Sequence, residues 1–403
     1  MTAHELMEKR ARDILPEAVH FLREIVAIPS MSGKEEAVAR RVAREMMQRG
    51  FDEVSIDDFG SVIGRIGEGP RTLLYDAHID TVGVGDPKAW PHDPFKGKAA
   101  DGWIWGRGTS DNKGGLAAIL FGAALAKEVL PHEVTLQVVG SAMEEDCDGI
   151  AYQTILGGEA PLRPEAVLLA ECTDLDVYRG HRGRMEITVT VRGTSCHASA
   201  PERGENAIYG MVGIVRGIEA LNARLADDAF LGRGSVAVTR IDGAGPSLNA
   251  VPDKCTIFLD RRLTAGETRA SALAEIEAVV AEVGARAEVE VLVHRAEGWT
   301  GKKVEMEKYY PTWTLSEEHP AFTAALAAAG EALGRPAKGS RWTFSTNGVY
   351  TAGLAGIPTL GFGPAKEEYT HSTGDRVSEE DLFRSILFYA LYPGHYVKGA
   401  ATR

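Results

Sequence analysis

Four short apolar runs, TLLYDA, VTLQVVGSA, AVLLA and IPTLGFG, punctuate the chain, and each passes into polar residues rather than into another apolar stretch. Runs of this length, apolar on both faces and separated by helical periodicity, read as buried strands of a largely parallel sheet. Helical spacing precedes the first of them in LPEAVHFLREIVAI and in KEEAVARRVAREMMQRG. At the start of the second helix Ser32 and Glu35 have the S-x-x-E spacing of a capping box, and Gly50 ends it. The fold class is therefore α/β, a mostly parallel sheet with flanking helices.

The pattern changes at about Arg182. MEITVTVRG alternates like a half-exposed strand, AIYGMVGIVRGIEALNARL is helical, and SVAVTRIDGAG and KCTIFLDRRL are two further strands. The helix ETRASALAEIEAVVAEV and the strand AEVEVLVH complete a β-α-β-β-α-β order, that of a ferredoxin-like α+β unit. KKVEMEKYYPTW adds a candidate edge strand, and the helix HPAFTAALAAAGEALG returns the chain to the first domain. A chain of 403 residues exceeds what one hydrophobic core usually serves. The expected organisation is a domain of residues 1–181 and 313–403, interrupted by an inserted lid of residues 182–312.

The net charge of −13 disfavours nucleic acid and anionic membranes as partners, since both reward clustered Lys and Arg. A small-molecule substrate fits better. The N-terminal residues mix charges without an apolar core, so neither a signal peptide nor a membrane span is expected, and the default location is the cytoplasm. Cys147, Cys172, Cys196 and Cys255 are scattered without a CxxC pair and read as small apolar fillers.

Polar residues with metal-binding chemistry fall where the strands end. TLLYDA runs into His78 and Asp80, VTLQVVGSA into Glu144 and Glu145, AVLLA into Glu171, and IPTLGFG towards His371. Ligands bind outside the carboxyl ends of strands in open α/β sheets, so these segments are aimed at one rim. Asp111 joins them from WGRGTSDNKGG, where glycines surround a carboxylate just before an apolar helix. Two histidines with several carboxylates suit zinc, cobalt or manganese better than calcium or magnesium. The set exceeds what one tetrahedral zinc needs, and a pair of ions sharing a carboxylate uses it economically. Asp80 projects to the same side as His78 and can accept from its outer ring nitrogen. Glu144 and Glu145 must diverge, leaving one free to act on water as a base.

These residues resemble the dinuclear zinc hydrolases that include acetylornithine deacetylase, succinyl-diaminopimelate desuccinylase, carboxypeptidase G and the aminoacylases. The resemblance runs over nearly the whole chain, through AHIDTV, GRGTSDNKGG, MEED, GTSCHASAPERGENAI, NAVPDKCTIFLDRR and GFGPAKEEYTHSTGD. It implies a zinc-peptidase-like domain interrupted by a lid that mediates homodimerisation. It implies one ion on His78, Asp111 and Glu171, a second on Asp111, Glu145 and His371, Glu144 as general base and Asp80 as the acid orienting histidine. In the lid it implies that His197 reaches a catalytic site, often the partner subunit's, to stabilise an oxyanion, and that Asn249 and Arg262 meet the substrate's carboxylate or nearby backbone. An internal pair with Asp260 competes for Arg262, and either Arg261 or Arg262 can point inward. Asn347 departs from the family, whose members often carry Asp there, and the aromatic KYYPTW is unusual. Length and STNGVYTAG are similar to the selenium-metabolism-linked branch.

The expected activity is metal-dependent hydrolysis of the amide bond in a small N-acyl amino acid or dipeptide. An N-carbamoyl amino acid hydrolase would use the same site. A non-catalytic metal-dependent binding protein is the alternative of a different class, against which an unliganded Glu144 argues.

Overall fold

A computed structural model describes residues 3–401. Its central sheet has eight strands in the order Glu53–Ile56, Val62–Ile66, Val134–Ser141, Arg71–His78, Ala166–Leu169, Thr359–Gly361, Val177–Tyr178 and Gly339–Ser340. The four strands from Val134–Ser141 to Thr359–Gly361 run parallel to one another. Every residue of Val134–Ser141 and Ala166–Leu169 is buried, because helices and loops cover both faces; this is why these runs lack alternation.

Alternate side chains of the strands feed two cores. Leu73, Tyr75, Leu136, Val138 and Leu168 face the helices Ala3–Val26, Glu36–Gln48, Gly114–Ala126, Pro320–Leu333 and Glu379–Ala401. Leu74, Val139, Val167 and Leu169 face Tyr152, Tyr310, Trp313 and Trp342 on the other side. Gly114–Ala126 has no polar face and is almost wholly buried. A Cβ on its Gly122 would sit 2.5 Å from the Tyr389 side chain, so the glycine lets this helix and the last one approach closely. Among the described residues no helix is long and apolar enough to cross a membrane.

Residues 183–291 build a second antiparallel sheet in the order Ser235–Ala244, Lys254–Leu263, Gly183–Arg192 and Ala287–Val291. The helices Ala207–Asn222 and Arg269–Val283 pack on one face around Met185, Ile187, Ile257 and Leu259. Arg261 points into that side and is fully buried against Glu267 and Glu275. Its neighbour Arg262 points to the other face, where Arg184 stands opposite it in register. Two crossing segments join this unit to the first sheet: Gly180–His181 pairs with Trp313–Thr314, and Trp313 Nε1 donates to His181 Nε2 at 2.8 Å.

Local structure departs from the sequence expectation at two places. The capping box does not form. The helix starts at Glu36 without a side-chain cap; Ser32 Oγ donates to Asp80 Oδ2 at 2.6 Å, and Glu35 Oε1 accepts from Met143 N at 3.2 Å. Partners more than 40 residues away outcompete the local motif. The KKVEMEKYYPTW segment divides: Lys303–Glu307 pairs with Val293–Glu297 in a hairpin, and only Tyr309–Tyr310 joins the edge of the second sheet. Met306, Tyr310 and Trp313 fill the second core, so the two aromatic residues among them serve packing.

Candidate metal centre

The register of the parallel strands sets the site. His78 lies beside Ser141 and Asp76 beside Leu169, so the chain leaves three neighbouring strands at one level. Glu144 and Glu145 follow Ser141, Glu171 follows Leu169, and His371 comes in on the segment beyond Thr359–Gly361. Asp111 enters from the tight turn Thr109–Lys113, which feeds the buried helix.

Two groups of three potential ligands result, His78 with Asp111 and Glu171, and Asp111 with Glu145 and His371; within each, one atom per residue lies within 4.8 Å of the others. Asp111 belongs to both. Its Oδ1 is 2.9 Å from His78 Nε2 and its Oδ2 is 3.2 Å from His371 Nε2. Glu145 Oε2 is 2.9 Å from His371 Nε2, and Glu171 Oε1 is 3.7 Å from His78 Nε2. Glu171 Oε2 is buried without a hydrogen-bond partner.

The electrostatics are those of donors awaiting positive charge. Burial, opposed by His78 and reinforced by Asp111, pushes the Glu171 carboxyl up to about 8. Hydrogen bonds to Asp111 and Glu145 lift His371 to about 10. Burial works against the charge on His78, yet Asp111 and Asp80 more than offset it and hold the ring well above its ordinary value. The cluster thus retains protons on the groups that two cations would deprotonate. Two imidazoles, three carboxylates and an orphaned buried oxygen fit divalent transition metals.

Asp80 does more than face His78. The imidazole Nδ1 is 3.0 Å from the Asp80 carbonyl oxygen and 3.5 Å from Oδ1. The same carboxylate accepts from the backbone N–H groups of Glu144 and Glu145, each at 3.1 Å. Glu144 and Glu145 diverge as steric reasoning requires: Glu145 turns to His371, while the Glu144 side chain has no hydrogen bond among the described residues. Burial, then the nearby Asp148 carboxylate, hold Glu144 well above the usual carboxylate range.

Among the described residues the three lid candidates make no hydrogen bond to this cluster. His197 is exposed; its Nδ1 accepts from Ser199 N at 3.1 Å and Ser199 Oγ at 2.7 Å, which leaves the proton of a neutral ring on Nε2. Asn249 is exposed in the adjoining segment, where its carbonyl accepts from Ala198 N. Arg262 is held by Asp260 through bonds of 2.7 and 3.0 Å.

Asp375 and Asp76 escaped sequence reasoning, and Asn347 stood out only as a departure whose partner was unknown. Asp375 accepts from Gly108 N, Thr109 Oγ1, Ser110 N, Ser110 Oγ and Arg107 Nη1, fastening the Asp111 turn to the segment that bears His371. Asp76 is buried, which pushes its carboxyl up to about 6. Asn347 Nδ2 donates to Asp76 Oδ2 and to Ser141 Oγ, both at 2.9 Å, and its Oδ1 accepts from Gly149 N at 2.8 Å. An Asp at 347 would set a second carboxyl against Asp76, so the departure at Asn347 suits its partner. GFGPAKEEYTHSTGD contains Asp375, but nothing in the string says what it binds.

A parallel sheet delivering such donors to one rim makes a candidate site for divalent metal ions. Residues 74–393 match the model of peptidase family M20/M25/M40, and the chain belongs to that family. It is 44% identical over 390 residues to the uncharacterized protein YgeY of Escherichia coli, covering 96% of each chain. It is 30% identical to a succinyl-diaminopimelate desuccinylase of Cereibacter sphaeroides, over 68% of this chain and 74% of that one. The aminopeptidase PepT of Bacillus cereus shares the fold, with a TM-score of 0.72 at 20% identity over 94% of this chain and 98% of that one.

Proposed function

We propose that the chain hydrolyses the amide bond of a small N-acyl amino acid or dipeptide, with Glu144 as general base. The observation that carries this reading is the division of labour at the rim: Asp111 is common to two donor groups, while the buried Glu144 beside them belongs to neither. Two divalent ions bound there, zinc first among the candidates, would polarise the scissile carbonyl and acidify water. Glu144 then accepts the proton of the attacking water and returns it to the leaving nitrogen. The desuccinylase relative supports an N-acyl amino acid as the substrate class. The test is a screen of acetyl-, succinyl-, formyl- and carbamoyl-amino acids and dipeptides with zinc, cobalt and manganese. Turnover of an acyl or peptidyl amide is the expected result. Turnover of carbamoyl compounds alone would replace the reading with its closest alternative, and no turnover with metal bound would favour a binding protein.

Arg262 shares its sheet face with Arg184, which reaches Asp148 Oδ2 at 3.3 Å. That position beside the Glu144 loop supports a role for Arg262, with Asn249, in receiving the substrate's carboxylate. A homodimer through the lid completes the proposal. Ser235–Ala244 is an edge strand paired on one side only, and its last six residues are exposed. Tyr209, Val212 and Ile241 present exposed apolar surface on the same unit. Such an edge is a ready template for a second copy. In that dimer His197, a donor through Nε2, would serve the partner's site. Mixing His197→Ala chains with Glu144→Ala chains is then expected to restore about a quarter of wild-type activity, since half the random dimers carry one intact site. No recovery would confine His197 to its own chain or remove it from the reaction.

A further inference from the structure

We propose that Glu35 and Ser32 are positioning residues for the loop that bears Glu144, a role that rests on the reading of Glu144 as general base. The short segment Ser30–Glu35 connects the helices Ala3–Val26 and Glu36–Gln48 and reaches the ends of two strands at once. Ser30 Oγ donates to Ile79 O at 2.8 Å, and Thr81 N donates to Ser30 O at 2.9 Å. Ser32 Oγ donates to Asp80 Oδ2 at 2.6 Å, while Glu35 Oε1 accepts from Gly33 N at 2.9 Å and from Met143 N at 3.2 Å. Three consecutive amides, those of Met143, Glu144 and Glu145, therefore all end on the carboxyls of Glu35 and Asp80.

Met143 sits at φ +60°, in the left-handed region that a side chain adopts only when its surroundings hold it there. That turn lets Glu144 and Glu145 leave in different directions. Glu35 is fully buried, makes no cap for its own helix, and keeps Oε2 without a partner. A carboxyl buried this deeply beside Asp80 is a cost to folding, and its hydrogen bond to Met143 gives it a local task. Ser32 supports the same loop from the other side, by fixing the Asp80 carboxylate that receives Glu144 N and Glu145 N.

The test compares Ser32→Ala, Glu35→Ala and Glu35→Gln in the metal-loaded full chain, on the fastest amide substrate of the screen. Three readouts are taken: kcat and KM, metal content, and hydrogen exchange of the Met143–Glu145 amides by mass spectrometry. Outer partners of this kind typically cost about 10–100-fold when removed. The expected result is a loss of that size in kcat for both alanine variants, with KM and metal content unchanged and faster exchange at Met143–Glu145. Glu35→Gln keeps the acceptor and recovers most of kcat. Wild-type kcat in both alanine variants would overturn the proposal. So would a loss that Glu35→Gln shares, or one that tracks loss of metal in Ser32→Ala, the smaller change. If Glu144→Ala itself retains turnover, the base reading fails, while the exchange data still report separately whether the loop is anchored.

Discussion

Replacing Glu144 by alanine is expected to lower turnover by roughly 10²–10⁴-fold while leaving the metal content at the wild-type level. The two effects separate because Glu144 is near the donors without being one of them. Neither group of potential ligands includes it, and its backbone N–H is held by Asp80 independently of the side chain. Removing the carboxyl also relieves the repulsion it shares with Asp148, Glu171 and Glu145, so the loop has no electrostatic reason to leave its place. Steady-state assays and elemental analysis on the same preparation read both quantities. Metal lost along with activity would make Glu144 a ligand; activity retained would move the base elsewhere.

Asp111→Ala is expected to abolish binding at both positions and reduce activity to background. This carboxylate alone stands in both groups, one oxygen towards His78 and the other towards His371. Without it each position keeps one imidazole and one carboxylate, too few to retain a transition metal against solvent. The turn itself has other support. Asp375 holds Gly108, Thr109 and Ser110, and Lys113 Nζ donates to Ile25 O and Ile28 O, both at 2.9 Å. Thermal unfolding of the metal-free proteins should therefore place the variant close to wild type, which separates lost ligation from lost folding. One ion retained at full occupancy would show that Asp111 does not bridge.

The parallel strands were legible because burial on both faces removes alternation and confines polar residues to the ends. In Val134–Ser141 only Thr135, Gln137 and Ser141 interrupt the apolar run, and the next residues are Ala142 to Glu145. The inserted unit was legible from its element order, which the observed strand order bears out. What escaped was every choice made by a distant partner. Ser32 and Glu35 have the spacing of a cap, yet Asp80 and Met143 claim them. Asn347 looked like a departure until Asp76 appeared beside it. KKVEMEKYYPTW read as an edge strand, but its first half pairs with Val293–Glu297 in a separate hairpin. Periodicity reports how a segment is buried, and says nothing of which remote side chain will take its hydrogen bonds.

The central claim is that the rim holds two ions on five ligands with Asp111 between them, and titration of the metal-free chain with zinc tests it most directly. Binding must displace protons from His371, held at about 10, and from Glu171, held at about 8. The protonated fraction falls as pH rises, so affinity rises in the same direction. The predicted result is two ions per chain, bound more tightly at pH 8 than at pH 6. Saturation at one ion or fewer, or affinity that does not change between these pH values, would contradict it.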